Sequence, residues 1–252
     1  MPSGADLIYD VGVANGDDSA YYLASGYRVV GIEANPALIP ALENRFRAEI
    51  DSGRYHLLAV GISEAAGVAP FWVCDDQPEL SSFSRSWAAS NGARHHKVEV
   101  PTSNFASILE RFGRAYYCKI DIEGNDHLCL RAISTSTRPR YISVEIEEAE
   151  REFADLVALG YRRFKLISQT SFRQPRTSTA FLNAHLGPLA RRVAAHMQRG
   201  RGPRGGASWG PSGPFGEDTH GRWMSAERAL ALSRLLAADR SPADWFDIHA
   251  AD

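Results

Sequence analysis

Tyr9-Asp10-Val11-Gly12-Val13-Ala14-Asn15-Gly16, running on into Asp17 and Asp18, sets the architecture of this chain. It carries an apolar run, Leu7–Val11, into a polar helical start, with glycines placed where a backbone turns closely around a ligand. The spacing is D-x-G-x-x-x-G. A dinucleotide fingerprint would be G-x-G-x-x-G, opening a helix whose N-terminus meets a pyrophosphate; Asp10, Asp17 and Asp18 would repel one. The loop favours a ligand with a cationic or neutral group, the alternative being a plain strand-to-helix turn.

Glu33 closes the next apolar run, 17 residues after Gly16, and is followed by Ala34-Asn35-Pro36. A carboxylate there accepts from both hydroxyls of a ribose. Carboxylates for an ammonium, room for a sulfonium and a ribose clamp together meet the needs of S-adenosylmethionine (SAM). The expected cofactor set is Asp10, Gly12, Ala14, Asn15, Gly16, Glu33 and Ala34. Gly61 and Ile62, at the exit of the third strand, either contact the adenine or are a plain strand end.

From Asp6 to about Gln169, short β-branched runs alternate with helical patterns, the mark of a βαβ architecture. Strands are expected at 7–11, 28–33, 55–60, 68–73, 97–100, 116–122, 141–146 and 162–167, and helices at 17–25, 36–50, 105–112, 125–133 and 148–159. Pro36 suits a first helical turn, and Gly26 and Gly160 fall where helices should stop. The pattern fails after Gln169. Leu186–Gly206 holds five arginines and no acid, whereas Ser143–Asp155 holds six acids and one arginine. The expected organisation is a SAM-binding core at 1–169, a basic Gly/Pro-rich insertion or lid at 170–224, and a C-terminal helix and tail at 225–252.

The net charge of −2 singles out no partner, and 44% hydrophobic against 23% charged residues excludes wholesale disorder and coiled coil. Cys74, Cys118 and Cys129 form no C-x-x-C pair, so neither a disulfide framework nor a thiolate zinc site is encoded, and a cytoplasmic setting is expected. No run approaches the ~18 apolar residues of a membrane span.

The segments DVGVANGDD, GIEANP, Leu80-Ser-Ser-Phe83, Tyr117-Cys-Lys-Ile-Asp-Ile-Glu-Gly124 and Tyr141-Ile-Ser-Val-Glu145 resemble the FkbM family of class I SAM-dependent methyltransferases. The Lys119-x-Asp121-x-Glu123-Gly124 box is the most distinctive of them. Gly213-Pro-Phe-Gly-Glu-Asp218 and Asp247-Ile-His249 resemble a subgroup of such proteins. The resemblance implies a Rossmann-like α/β fold with a seven-stranded, mostly parallel sheet and helices on both faces, SAM as cofactor, and O-methylation of sugar or polyketide hydroxyls. Val13-Ala14 departs mildly from the commoner D-x-G-A-x-x-G loop.

Methyl transfer from a sulfonium is an in-line displacement governed by alignment. A hydroxyl acceptor also needs a base or an acidifying metal. Asp121 ends the fourth major strand, at the edge where open α/β folds bind ligands, and is expected at the reaction centre and against the cofactor. Lys119 and Glu123 share its face if the strand stays regular; Lys119 either orients Asp10 or Asp121 or is a purely structural ion pair. Asp121, Glu123 and Asp126 offer oxygens to Mg²⁺, although acids also gather at a helix N-terminus for dipole reasons. Glu145, His127 and His220 are further candidate bases, while His95 and His96 point to opposite faces.

A small-molecule acceptor is expected, and nucleic acid is disfavoured: no N/D-P-P-Y/F turn follows the fourth strand, and Cys118 is inside a strand. The alternatives are N- or carboxyl-methylation of a peptide or metabolite, or a non-catalytic SAM- or RNA-binding module. Arg199–Gly206 reads as a solvated loop, an RGG-like tract, or an acceptor lid carrying Trp209, Phe215 and Trp223.

Overall fold

The computed structural model describes residues 6–89, 92–175, 212–238 and 245–252. They fall into two compact units, Met1–Val144 and Glu145–Asp252. The basic tract 186–206 and Trp209 lie outside the described residues.

In the first unit, β1 (Leu7–Val11) pairs in parallel with β2 (Arg28–Ile32) on one side and with β7 (Tyr117–Ile120) on the other; β3 (Tyr55–Leu58) extends the β2 side and β8 (Tyr141–Glu145) the β7 side. Every residue of β1, β7 and β8 is buried, which explains their near-continuous apolar character and makes Asp10 and Lys119 conspicuous. In the second unit, β9 (Arg163–Ser168) and β10 (Phe246–Ala251) form an antiparallel pair. The strand order β3-β2-β1-β7-β8-β10-β9 is the expected seven-stranded, mostly parallel sheet. The chain leaves β1 towards β2 but returns on its other side as β7, so the topological switch point lies between β1 and β7.

Helices α1 (Asp17–Ala24), α5 (Phe105–Phe112) and α6 (Asp126–Ala132) fall within a residue or two of expectation. The helix expected over 36–50 is instead α2 (Ile39–Arg45) and α3 (Arg47–Asp51). Pro36 stands outside it because the Asn35 side chain accepts Ala37 N at 3.0 Å, closing a turn, and Pro40 takes the first-turn position. The third strand ends at Leu58; Gly61–Ile62 forms β4, which joins a second sheet with β5 (Gly67–Cys74) and β6 (His95–Ser103). Within β6, His95 packs edge-on to Trp72 and His96 pairs with Asp75 at 2.8 Å, so the two do not converge. All three cysteines are buried and free. A short helix, α4 (Arg85–Ala88), precedes β6.

The second unit also holds α7 (Ala149–Ala158) and α8 (Ala226–Ala238), linked by the Arg234–Glu150 ion pair at 3.0 Å. Residues 212–224 are fastened to β9 and its exit. Lys165 Nζ donates to Thr219 O and Oγ1, both at 2.8 Å, and stands 4.3 Å from the centre of the Trp223 ring; Gln174 exchanges hydrogen bonds with Arg222. Trp223, expected to face an acceptor, is thus engaged by Lys165 and by Glu217, which accepts its indole N–H at 2.7 Å. Among the described residues no helix is long and apolar enough to cross a membrane.

His249 lies opposite Lys165 across the β9/β10 pair and is only 2% exposed, with Nε2 lacking a hydrogen-bond partner among the described residues. Burial, helped by the Lys165 charge, pushes its imidazole down to about 3. The unfolded chain therefore binds the extra proton between about pH 6.5 and 3, so this residue's contribution to stability is complete above pH 6.5 and is lost on acidification. Relative to His249→Leu, the parent should lose about 2 kcal/mol between pH 7.5 and pH 5, read from denaturant midpoints at the two values. Equal acid losses in both proteins would contradict this reading.

Candidate active site

The glycine loop is built from the inside out. Gly12 N donates to Ile32 O at 2.9 Å, and Ala14 N donates to Glu33 Oε2 at 2.9 Å, while Asn35 N donates to Glu33 Oε1 at 2.7 Å. Glu33 thereby ties the loop after β1 to the turn after β2, each oxygen keeping a second lone pair. Burial raises its carboxyl above the usual range, opposed by the Asn35 and Ala14 amides. Gly12 is held at φ +91°, and a Cβ there would come within 1.8 Å of Asp121 O. Its close approach is to the backbone at the end of β7, a contact that spacing alone did not reveal. Gly16 opens α1 in the left-handed region, and Arg45 reaches both Asn15 O and Asp17, each at 2.7 Å.

The centre of the charged cluster is Lys119. Its Nζ donates to Gly12 O at 3.1 Å and faces Asp121 at 3.3 Å, Asp18 at 3.5 Å and Asp10 at 3.7 Å. Burial alone would push the ammonium down, but Asp121, Asp10 and Asp18 together hold it well above the ordinary lysine range. Asp10 is pushed up to about 6 by burial, against the pull of Lys119. Its Oδ2 accepts Ser19 Oγ at 2.6 Å, and its buried Oδ1 makes no hydrogen bond among the described residues. Three carboxylates surround one ammonium, so the cleft is formally anionic.

Burial sorts these acids. Asp10 is completely buried and the Asp18 side chain is 4% exposed, whereas that of Asp121 is 32% exposed. Asp10, expected at the ligand, is buried behind Lys119 in this structure; Asp121 is the open member. Asp18, the second residue of α1, is not among the expected site residues; its place in the first turn of the helix that follows the β1 loop was the available signal. Glu123 is not placed by strand alternation, because β7 stops at Ile120 and Glu123 adopts φ +53°. Asp126 takes the helix-terminus role: it is 3% exposed in the first turn of α6 and accepts Ile122 N at 3.3 Å, so it is not presented beside Asp121 as a Mg²⁺ ligand. Glu145 closes β8 and is 6% exposed. His127 is half-buried, and His220 accepts Gln174 N at 3.3 Å.

Gly61 and Ile62 serve packing first. A Cβ on Gly61 would come within 2.3 Å of the Phe83 ring, and Ile62 O accepts Asn125 Nδ2 at 3.1 Å. Phe83 and Ala34 therefore meet over Gly61 at this end of the cleft.

A glycine loop, an acid ending the second strand and an acidic box ending β7, gathered at the switch point of this sheet, give the class I methyltransferase fold. Residues 10–173 match the methyltransferase FkbM domain, and the chain belongs to that family. Among solved structures it is similar to the FkbM methyltransferase from Methylobacillus flagellatus KT, with 18% identity over 57% of this chain and a TM-score of 0.38. That match spans 34% of the Methylobacillus chain, about a third of its length. It is also similar to precorrin 8w decarboxylase from Methanobacterium thermoautotrophicum, with 17% identity over 66% of this chain and 70% of that one, and a TM-score of 0.38. No curated protein matches the chain.

Proposed function

We propose that this chain binds SAM at the β1/β7 switch point and transfers its methyl group to a hydroxyl of a small or medium metabolite of sugar, glycan or polyketide type. The observation carrying this reading is the surplus of negative charge around Lys119, with Asp10 Oδ1 buried and lacking a hydrogen bond among the described residues. An anionic cleft suits a ligand bearing an ammonium and a sulfonium and opposes a pyrophosphate.

SAM supplies an electrophilic methyl on a positively charged sulfur, and the protein's part is to hold and deprotonate. Glu33 offers its two remaining lone pairs to the ribose hydroxyls, its position fixed by Ala14 N and Asn35 N. The partly exposed backbone of Gly12 and Ala14 lines the cofactor, and Asn15 closes the loop by accepting Asp17 N at 3.0 Å. Ala34 and Ile62, with Phe83 behind Gly61, form the apolar end suited to adenine. Asp121, the open carboxylate, accepts the proton that the acceptor hydroxyl gives up; Lys119 holds it in place and stabilises its charge. Glu123 stands two residues on, positioned to accept from the same acceptor.

Asp121→Asn tests this assignment. It should lower methyl transfer on the order of 100-fold while SAM affinity changes by no more than about threefold, measured by tritium transfer from SAM to a panel of polyhydroxylated acceptors and by calorimetry. Equal loss of transfer and affinity would make Asp121 a cofactor ligand only.

A further inference from the structure

The tripeptide Ser81-Ser82-Phe83 touches three walls of the cleft at once. Ser81 Oγ accepts Asn35 Nδ2 at 3.3 Å, from the turn behind Glu33, and Cys74 N at 3.0 Å. Phe83 rests on Gly61. Ser82 pairs with Trp72 through both backbone hydrogen bonds, at 2.9 and 3.0 Å, and its hydroxyl donates to Glu123 O at 2.6 Å while accepting Ser84 N at 3.0 Å. Trp87, in α4, donates its indole N–H to the Glu123 carboxylate. Arg85 lies 5.1 Å from the Trp72 ring centre, which fastens the same strap from its outer side.

Glu123 itself is held in the left-handed region at φ +53°. A residue with a Cβ is strained there and stays only where its surroundings over-determine it. Its surroundings include Ser82 on its carbonyl and Trp87 on its carboxylate, both from the 81–87 strap. The strap thus fixes both the backbone turn and the direction of the side chain.

We propose that Ser82 and Trp87 are positioning residues for methyl transfer, holding the Glu123 carboxylate beside Asp121 at the mouth of the cofactor cleft. The inference rests on the reading of this cleft as the methyl-transfer centre. Because the same strap touches the Asn35 turn and Gly61, a bound cofactor on that side is felt at Glu123 through Ser81 and Phe83.

The test is made on the full chain with its five tryptophans labelled with ¹⁵N at the indole. The Trp87 signal is identified by its loss in Trp87→Phe. It should lie downfield of the others, move on Glu123→Gln, and move again when SAM is added to the parent but not to Glu123→Gln. Ser82→Ala, which leaves Trp87 in place, should displace the same signal, and Trp87→His, which restores a donor, should return the SAM response of Glu123 that Trp87→Phe loses, followed by side-chain carboxyl ¹³C shifts. A Trp87 signal indifferent to Glu123→Gln and to SAM, in a protein that binds SAM by calorimetry, would overturn the positioning role and leave the function standing. Absence of SAM binding would overturn both.

Discussion

Lys119→Met should lower the thermal midpoint by about 10 °C, the largest stability loss of any single change at the cleft. Removing the ammonium takes away the charge that faces the buried Asp10 and Asp18 and the donor that Gly12 O accepts from at 3.1 Å. Breaking a buried ion pair from one side costs about 3–5 kcal/mol, which exceeds any gain from burying the methionine. The deficit has a signature in pH. Asp10 already titrates at about 6 in the parent, above its unfolded value, because burial penalises its charge. Without Lys119 that penalty grows and the variant's Asp10 takes up its proton above the parent's value, so the deficit is larger at pH 8, narrows as the pH falls towards about 6, and is constant below it, where Asp10 is neutral in both folded proteins. Thermal denaturation of parent and variant at pH 8 and pH 5 checks this; a deficit that is small, or equal at both values, would show Lys119 to be a peripheral charge.

Gly12→Ala should abolish the cofactor site where Gly26→Ala barely perturbs the protein. Both glycines have similar backbone angles, φ +91° and +89°. Strain alone therefore costs each about 1–2 kcal/mol. Around Gly26 a Cβ meets nothing within 4 Å, but at Gly12 it comes within 1.8 Å of Asp121 O, which cannot yield without moving the end of β7. Displacing that backbone drags Asp121 from Lys119 and the loop from Glu33, so SAM affinity should fall on the order of 100-fold or beyond detection, with a further loss of stability. Calorimetry and denaturation of the two variants side by side decide it. A Gly12→Ala protein that binds like Gly26→Ala would mean the loop and β7 are not in contact.

Much of this arrangement was legible in the sequence because the signals are local. The β1 loop, Glu33 and the Lys119–Gly124 box each announce themselves by spacing, and the alternation of runs orders the sheet. What escaped is set by distant packing. The contacts of Asp10 with Ser19 and Lys119, inside a strand buried on both faces, are not disclosed by the spacing of the loop. Asp18 enters the centre because α1 turns it inward, which a pair of adjacent acids does not disclose. Gly61 also makes room for the Phe83 ring, a contact across more than twenty residues of chain that local spacing does not show. Glu123 falls off the strand's alternation because β7 ends early, and only the 81–87 strap shows what holds it. The helix expected to begin at Pro36 was displaced by the local hydrogen bond of Asn35, a case where turn chemistry outweighed apolar periodicity.

The measurement that bears most directly on an anionic, SAM-binding cleft at the β1/β7 switch point is calorimetric titration of the full chain with SAM and, separately, with NAD. Saturable binding of SAM at one site, and none of NAD at the same concentrations, is the expected result. Binding of NAD without binding of SAM would contradict it.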